Sequence, residues 1–257
     1  MAGSDFVGSL FWGLVASLPL VLGAALSSFI NLPKKVIAAV MAFGAGVLVA
    51  ALTFSLIEEA FSLVENKVIP VLAGFVLGGI SYSVANRILT RKNAALKNRK
   101  RSHGENAGGG KESSGLALMV GSLMDNIPEN MALGISIVTG GVVNIVLIAA
   151  IFISNFPEGL ASTQGMLSHG RTKKQILLIW AAVAAIGTVS SAVGFSVLSK
   201  APAEIVSASL SFASGAILVM LAESMIPEAF DKGGSAIGLA TMAGFAIAFI
   251  LGKVGGG

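Results

Sequence analysis

Two short stretches carry most of the polar chemistry of this chain, DNIPEN at 125–130 and SNFPEG at 154–159, offset by 29 residues. On a helix, Asp125 and Glu129 are four apart and Asn126 and Glu129 three apart, so one face presents two carboxylates and an amide. Ser154, Asn155 and Glu158 repeat that spacing. Each stretch also holds a proline, Pro128 or Pro157, that cannot bond the carbonyl four residues earlier, at Met124 or Ile153. A bent helix with a freed carbonyl oxygen is expected in both places. Carboxylates crowded together in a low dielectric repel one another, and a divalent cation removes that repulsion. The candidate ligand set is therefore Asp125, Asn126, Glu129, Ser154, Asn155 and Glu158, with no resident cofactor. Glu223 and Glu228, flanking Pro227, are placed to complete the coordination or to gate the way out, and Glu59 is the counterpart of Glu228.

The elements that must hold these residues are apolar. Hydrophobic residues make up 54% of the chain and charged ones 12%, and the mean hydropathy is +0.86. This balance is foreign to a soluble domain and points to an all-α integral membrane protein with the bilayer as its surroundings. Burying an ionised Asp in the middle of such a span costs about 2.5–3.5 kcal/mol on insertion scales, so acids there need a reason. There is no Cys, which excludes disulfides and thiolate ligands, and the 32 glycines suit close helix packing in lipid.

Eight apolar segments approach the ~20 residues that cross a bilayer. They are expected at 6–29, 36–61, 68–90, 114–138, 142–167, 175–199, 203–229 and 234–254, with a basic, Gly-rich cytoplasmic loop at about 91–113. The first follows Asp5 with no basic residue ahead of it and is too long for a signal-peptide core, so it reads as a retained helix. Of the 17 Lys and Arg residues, 14 fall on one side of this layout and only Lys67, Lys200 and Lys253 on the other. Because cations favour the cytoplasmic side, both termini should face outward. The basic loop then reports topology, and no nucleic-acid partner is implied. The compact loops fit a prokaryotic inner membrane.

An internal repeat refines the layout. FGAGVLVAALTFSLIEEAF at 43–61 matches FASGAILVMLAESMIPEAF at 212–230, with Phe43/Phe212, Gly46/Gly215, Glu59/Glu228, Ala60/Ala229 and Phe61/Phe230 at one offset of 169. These copies are five crossings apart, an odd number, and so run in opposite directions. The fourth and fifth spans, which carry the paired motifs, are antiparallel too. A 3+2+3 arrangement of helices related by a pseudo-twofold axis in the membrane plane satisfies both offsets, and that is carrier architecture, not an enzyme's.

The paired N-x-P-E motifs on the fourth and fifth spans, the outward termini and the long loop after the third span resemble the ZIP (Zrt/Irt-like) family of divalent metal transporters, most closely its prokaryotic branch. The resemblance covers essentially the whole chain. It implies uptake of zinc, iron or manganese as substrate through a central site, by an elevator or rocking movement, and implies a homodimer. Asn126, Glu129, Asn155 and Glu158 match the family's ligands position by position. Asp125 stands where that pattern has histidine, and Ser154 where it often has His or Gln. The only histidines, His103 and His169, fall in or beside loops. An all-oxygen site suits Mn²⁺ as well as zinc, with Fe²⁺ between them. GTVSSAVG at 187–194 offers no acid for a second metal position. The alternative reading is an inverted-repeat carrier of a non-metal solute coupled to protons or sodium, for which the walls near the acids should be aromatic; Phe152 and Phe156 are the nearest. A non-transporting descendant with a decayed site is disfavoured by both retained prolines and glutamates.

Overall fold

A computed structural model of the protein describes residues 2–65, 67–102, 110–140, 145–168 and 170–255, and these residues contain helices, turns and no strand. The helices are α1 (Ala2–Phe29), α2 (Lys34–Ala51), α3 (Glu58–Ser62), α4 (Val68–Ser102), α5 (Gly110–Gly140), α6 (Ile145–Ser168), α7 (Lys173–Leu198), α8 (Ala203–Met220), α9 (Ile226–Gly233) and α10 (Ile237–Gly255). A π-helical turn, Leu52–Ile57, joins α2 to α3 without a break, and a second, Leu221–Met225, joins α8 to α9. Among the described residues, six helical stretches are long and apolar enough to cross a membrane: Asp5–Phe29, Lys34–Ser62, Val68–Arg91, Ile145–Ser168, Lys173–Leu198 and Ala203–Gly252.

The exposed surface agrees with that setting. On α4, Ile69, Leu72, Val76, Leu77, Ile80, Val84 and Ile88 are all exposed. A contiguous apolar face of this size is unfavourable in water and natural against lipid tails.

Local sequence explains where the helices begin and end. Pro33 and Pro202, separated by the same offset of 169, supply extended N-caps to α2 and α8, and a fixed φ suits a proline to that place. Thr172 and Gln175 form a reciprocal capping box at the start of α7. Gly234, at φ 71°, makes the turn from α9 towards α10. The segment expected as a loop at 91–113 is largely helical instead, since α4 runs on to Ser102 and α5 starts at Gly110. The run AALKNRKR is rich in good helix formers, and a membrane helix can continue into water on such residues. The remainder of that expected loop, with His103, lies outside the described residues, as does His169.

The packing has two groups. In one, α1 lies against both α6 and α7, and α5 lies along α7; in the other, α4 runs along α8 and α2 along α10. Contacts of α2 with α6 and of α5 with α8 join the groups.

Glycines set the close approaches, and they do so reciprocally. On α2 and α10, a Cβ at Gly46 would lie 1.9 Å from the Thr241 carbonyl oxygen, and one at Gly244 2.0 Å from that of Phe43. On α8 and α4, one at Gly215 would lie 2.0 Å from the Phe75 oxygen, and one at Gly78 1.9 Å from that of Phe212. Small residues that let backbones touch are the main device of helix association in lipid. Gly159 and Gly23 form the same reciprocal contact between α6 and α1, and Gly134 and Gly194 form it between α5 and α7.

Candidate metal centre

The two motifs lie on α5 and α6, which run through Pro128 and Pro157 as continuous helices. Gly44 of α2 fixes the depth of the second motif: a Cβ there would sit 3.0 Å from the Ser154 Cα. α2 thus approaches α6 closely at the level where the carboxylates begin.

The carboxylates of Asp125, Glu129 and Glu158 act on one another electrostatically, and Glu228 adds its charge to Asp125 and Glu158. Glu129 and Asn155 are almost entirely buried. Three oxygens of the predicted ligand set, Glu129 Oε2, Asn155 Oδ1 and Glu158 Oε1, are buried with no hydrogen-bond partner. Leaving one such acceptor unsatisfied costs about 1–3 kcal/mol, and more when it is charged. All three belong to the paired motifs of α5 and α6. Among the described residues, no three His, Cys, Asp or Glu side chains are gathered closely enough to hold a metal ion unaided.

No family model matches the chain, and no curated protein matches it either. The case for the site rests on its chemistry.

Other predicted residues have different neighbours. Asn126 is consumed by a buried strut: its Oδ1 accepts from Asn130 Nδ2 at 2.6 Å and from Ser17 Oγ at 3.4 Å, while its Nδ2 donates to the Val183 carbonyl at 3.0 Å. Ser17 also reaches Asn130 Oδ1 at 3.3 Å. This network ties α5 to α1 and α7, and Gly187 makes room for it, since a Cβ there would meet Asn126 Nδ2 at 2.3 Å. Ser154 Oγ donates back to the Ile151 carbonyl at 3.0 Å, which leaves only its lone pairs for a cation.

Glu223 is turned to α4, where its two oxygens accept from Ser83 Oγ at 2.7 Å and Asn86 Nδ2 at 2.9 Å. Glu228 pairs with Lys232 one turn on. Both line a cavity of about 350 Å³ with Lys34, Ser162 and Gln164. Its lining includes Ala161, three residues beyond Glu158 on α6. Glu59 stands apart. It lies 15 residues beyond Gly44 on the α2–α3 rod, roughly 22 Å along a helix axis at 1.5 Å per residue.

Sequence reasoning missed Tyr82 of α4, whose hydroxyl donates to Asp125 Oδ1 at 2.6 Å, and Ser122, which hydrogen-bonds Glu158. It also missed Asn130, although that residue shares the helix face of Asn126. Tyr82 is the one tyrosine in the chain, a polar tip in an apolar run, and that was the available signal.

Proposed function

We propose that this protein is a membrane carrier of divalent metal cations, similar to the ZIP family, and that the ion binds between α5 and α6. One observation carries the reading: Glu129 Oε2, Asn155 Oδ1 and Glu158 Oε1, from both copies of the motif, are buried and unpartnered together. A doubly charged cation satisfies all three acceptors and removes the repulsion among the carboxylates. The donor set is oxygen only, which suits manganese, iron or zinc as substrate.

Several features support the 3+2+3 layout of eight spans. The two π-turns begin at Leu52 and Leu221, at the repeat's own offset of 169. The capping prolines and the glycines of the α2–α10 and α4–α8 contacts follow the same pairing. Exchanging the first three spans with the last three, and the fourth with the fifth, turns the α2–α10 contact into α8–α4 and the α1–α6 contact into α7–α5. The two packing groups then act as the two bodies of the carrier. Sliding or rocking of the group that bears α5 and α6 against the other exposes the bound ion to alternate sides.

In this reading both termini face outward. The ion approaches from the side of Glu59, exchanges water for the buried oxygens, and leaves through the cavity at Glu228 and Lys232 to the cytoplasm. The direct test is Mn²⁺ and Zn²⁺ uptake into proteoliposomes by the wild type and by Glu129→Gln and Glu158→Gln. Flux is expected to fall by more than tenfold in each variant; undiminished flux in both refutes the site.

A further inference from the structure

The hydrogen bond from Tyr82 bears on which cation the site accepts. Tyr82 is almost fully buried, and its hydroxyl donates to Asp125 Oδ1 at 2.6 Å, with Ser224 of the second π-turn beside it. A phenol has a single proton. That proton goes to Asp125 Oδ1. Tyr82 thereby occupies one of the two oxygens of Asp125. Ser122 stands against the Glu158 carboxylate, whose Oε1 is buried and unpartnered.

The geometry points to Tyr82 as a selectivity-determining residue: by capping Asp125 Oδ1 it restricts Asp125 to one-oxygen ligation and so disfavours Ca²⁺ against smaller divalent ions. This rests on the metal-carrier reading above. With Oδ1 capped, Asp125 brings one oxygen, Oδ2, to join the unpartnered Glu129 Oε2, Asn155 Oδ1 and Glu158 Oε1. Ca²⁺ takes six to eight oxygens, typically with bidentate carboxylates, whereas zinc is content with four. Mn²⁺ reaches six with two retained waters. Each capped oxygen therefore removes a ligand that only the larger ion needs.

The test is titration of the purified full-length protein with Mn²⁺, Zn²⁺ and Ca²⁺, read by thermal midpoint, for wild type, Tyr82→Phe and Ser224→Ala. Tyr82→Phe removes one hydroxyl and frees Asp125 Oδ1. The Ca²⁺-to-Mn²⁺ affinity ratio is expected to rise by roughly tenfold, the scale of one hydrogen bond to a charged group. Ser224→Ala should move it the same way by less. An unchanged ratio, or equal weakening of all ions, overturns the role of Tyr82 while leaving the carrier reading intact. Absence of binding by any ion to the wild type overturns the carrier reading itself. A second measurement does not depend on a folded variant. Tyr82 is the sole tyrosine, so ultraviolet resonance Raman of the wild type reports its hydrogen bonding alone. It should remain a donor when Mn²⁺ is bound, and loss of that donor state on Mn²⁺ binding overturns the proposal.

Discussion

Asn155 of α6 donates from Nδ2 to the carbonyl oxygen of Ala16 on α1 at 2.8 Å, and this single bond decides which end of the amide faces the carboxylates. A carbonyl accepts only a donor, so the NH₂ group must point at Ala16 and Oδ1 must point away from it. That oxygen is buried and unpartnered. The matching residue of the other motif, Asn126, has its amide occupied at both ends by Asn130, Ser17 and Val183. Two asparagines at equivalent positions of a repeat thus have unequal parts, one left with an unpartnered oxygen and one binding helices together.

The asymmetry separates two substitutions. Asn126→Ala is expected to lower stability by about 1–3 kcal/mol, because it orphans the buried partners of its strut, and to keep the metal-induced rise in thermal midpoint. Asn155→Leu removes the unpartnered oxygen and should abolish that rise. Thermal unfolding of both variants with and without Mn²⁺ checks the pair.

Neutral amides in place of the buried acids should help the metal-free protein. Glu129→Gln or Glu158→Gln keeps the shape and removes one of several mutually repelling charges. The metal-free midpoint is expected to stay level or rise by a few degrees, and the added stabilisation by Mn²⁺ to vanish. Carboxylates must also shed protons to ligate a metal, so flux by the wild type should weaken as pH falls. A pH series of uptake, run beside Glu129→Gln, measures this; flux that strengthens on acidification contradicts carboxylate ligation.

The reciprocal glycine contacts predict a steep contrast between superficially similar changes. Gly46→Ala and Gly215→Ala would place a Cβ 1.9 and 2.0 Å from backbone oxygens that cannot rotate aside, so the helices must separate, at about 1–3 kcal/mol or more. A Cβ at Gly238 meets nothing within 4 Å, and Gly238→Ala should instead stabilise by roughly 0.5–1 kcal/mol. Unfolding in detergent measures all three.

Because the chain has no Cys, one introduced thiol reports sidedness without background. Ser162→Cys, in the cavity beside Glu228 and Lys232, should react with a membrane-impermeant reagent only from the cytoplasmic side. Glu58→Cys, exposed at the far end of the α2–α3 rod, should react only from outside. Labelling of both from one side would reverse the proposed route.

The apolar stretches, their helical state and the repeat at an offset of 169 were legible in the residues, because each rests on local spacing and composition. The paired motifs were legible too, since an acid three residues after Asn inside an apolar run is conspicuous against lipid. The helical ends of the basic segment were harder to read, because intrinsic propensity competes there with polarity and glycine content. Only the tertiary structure decided which predicted ligands are free. Side chains with the same letters and spacing meet different neighbours: Ser17 and Val183 claim Asn126, Ser83 and Asn86 claim Glu223, Tyr82 claims one oxygen of Asp125, and nothing claims Oδ1 of Asn155. Hydrogen-bond partners separated by 43 to 140 residues leave no periodic trace. The sequence by itself determined that oxygen-bearing side chains would lie in apolar helices, and the packing of α1, α4 and α7 around α5 and α6 determined which of those oxygens remain unpartnered.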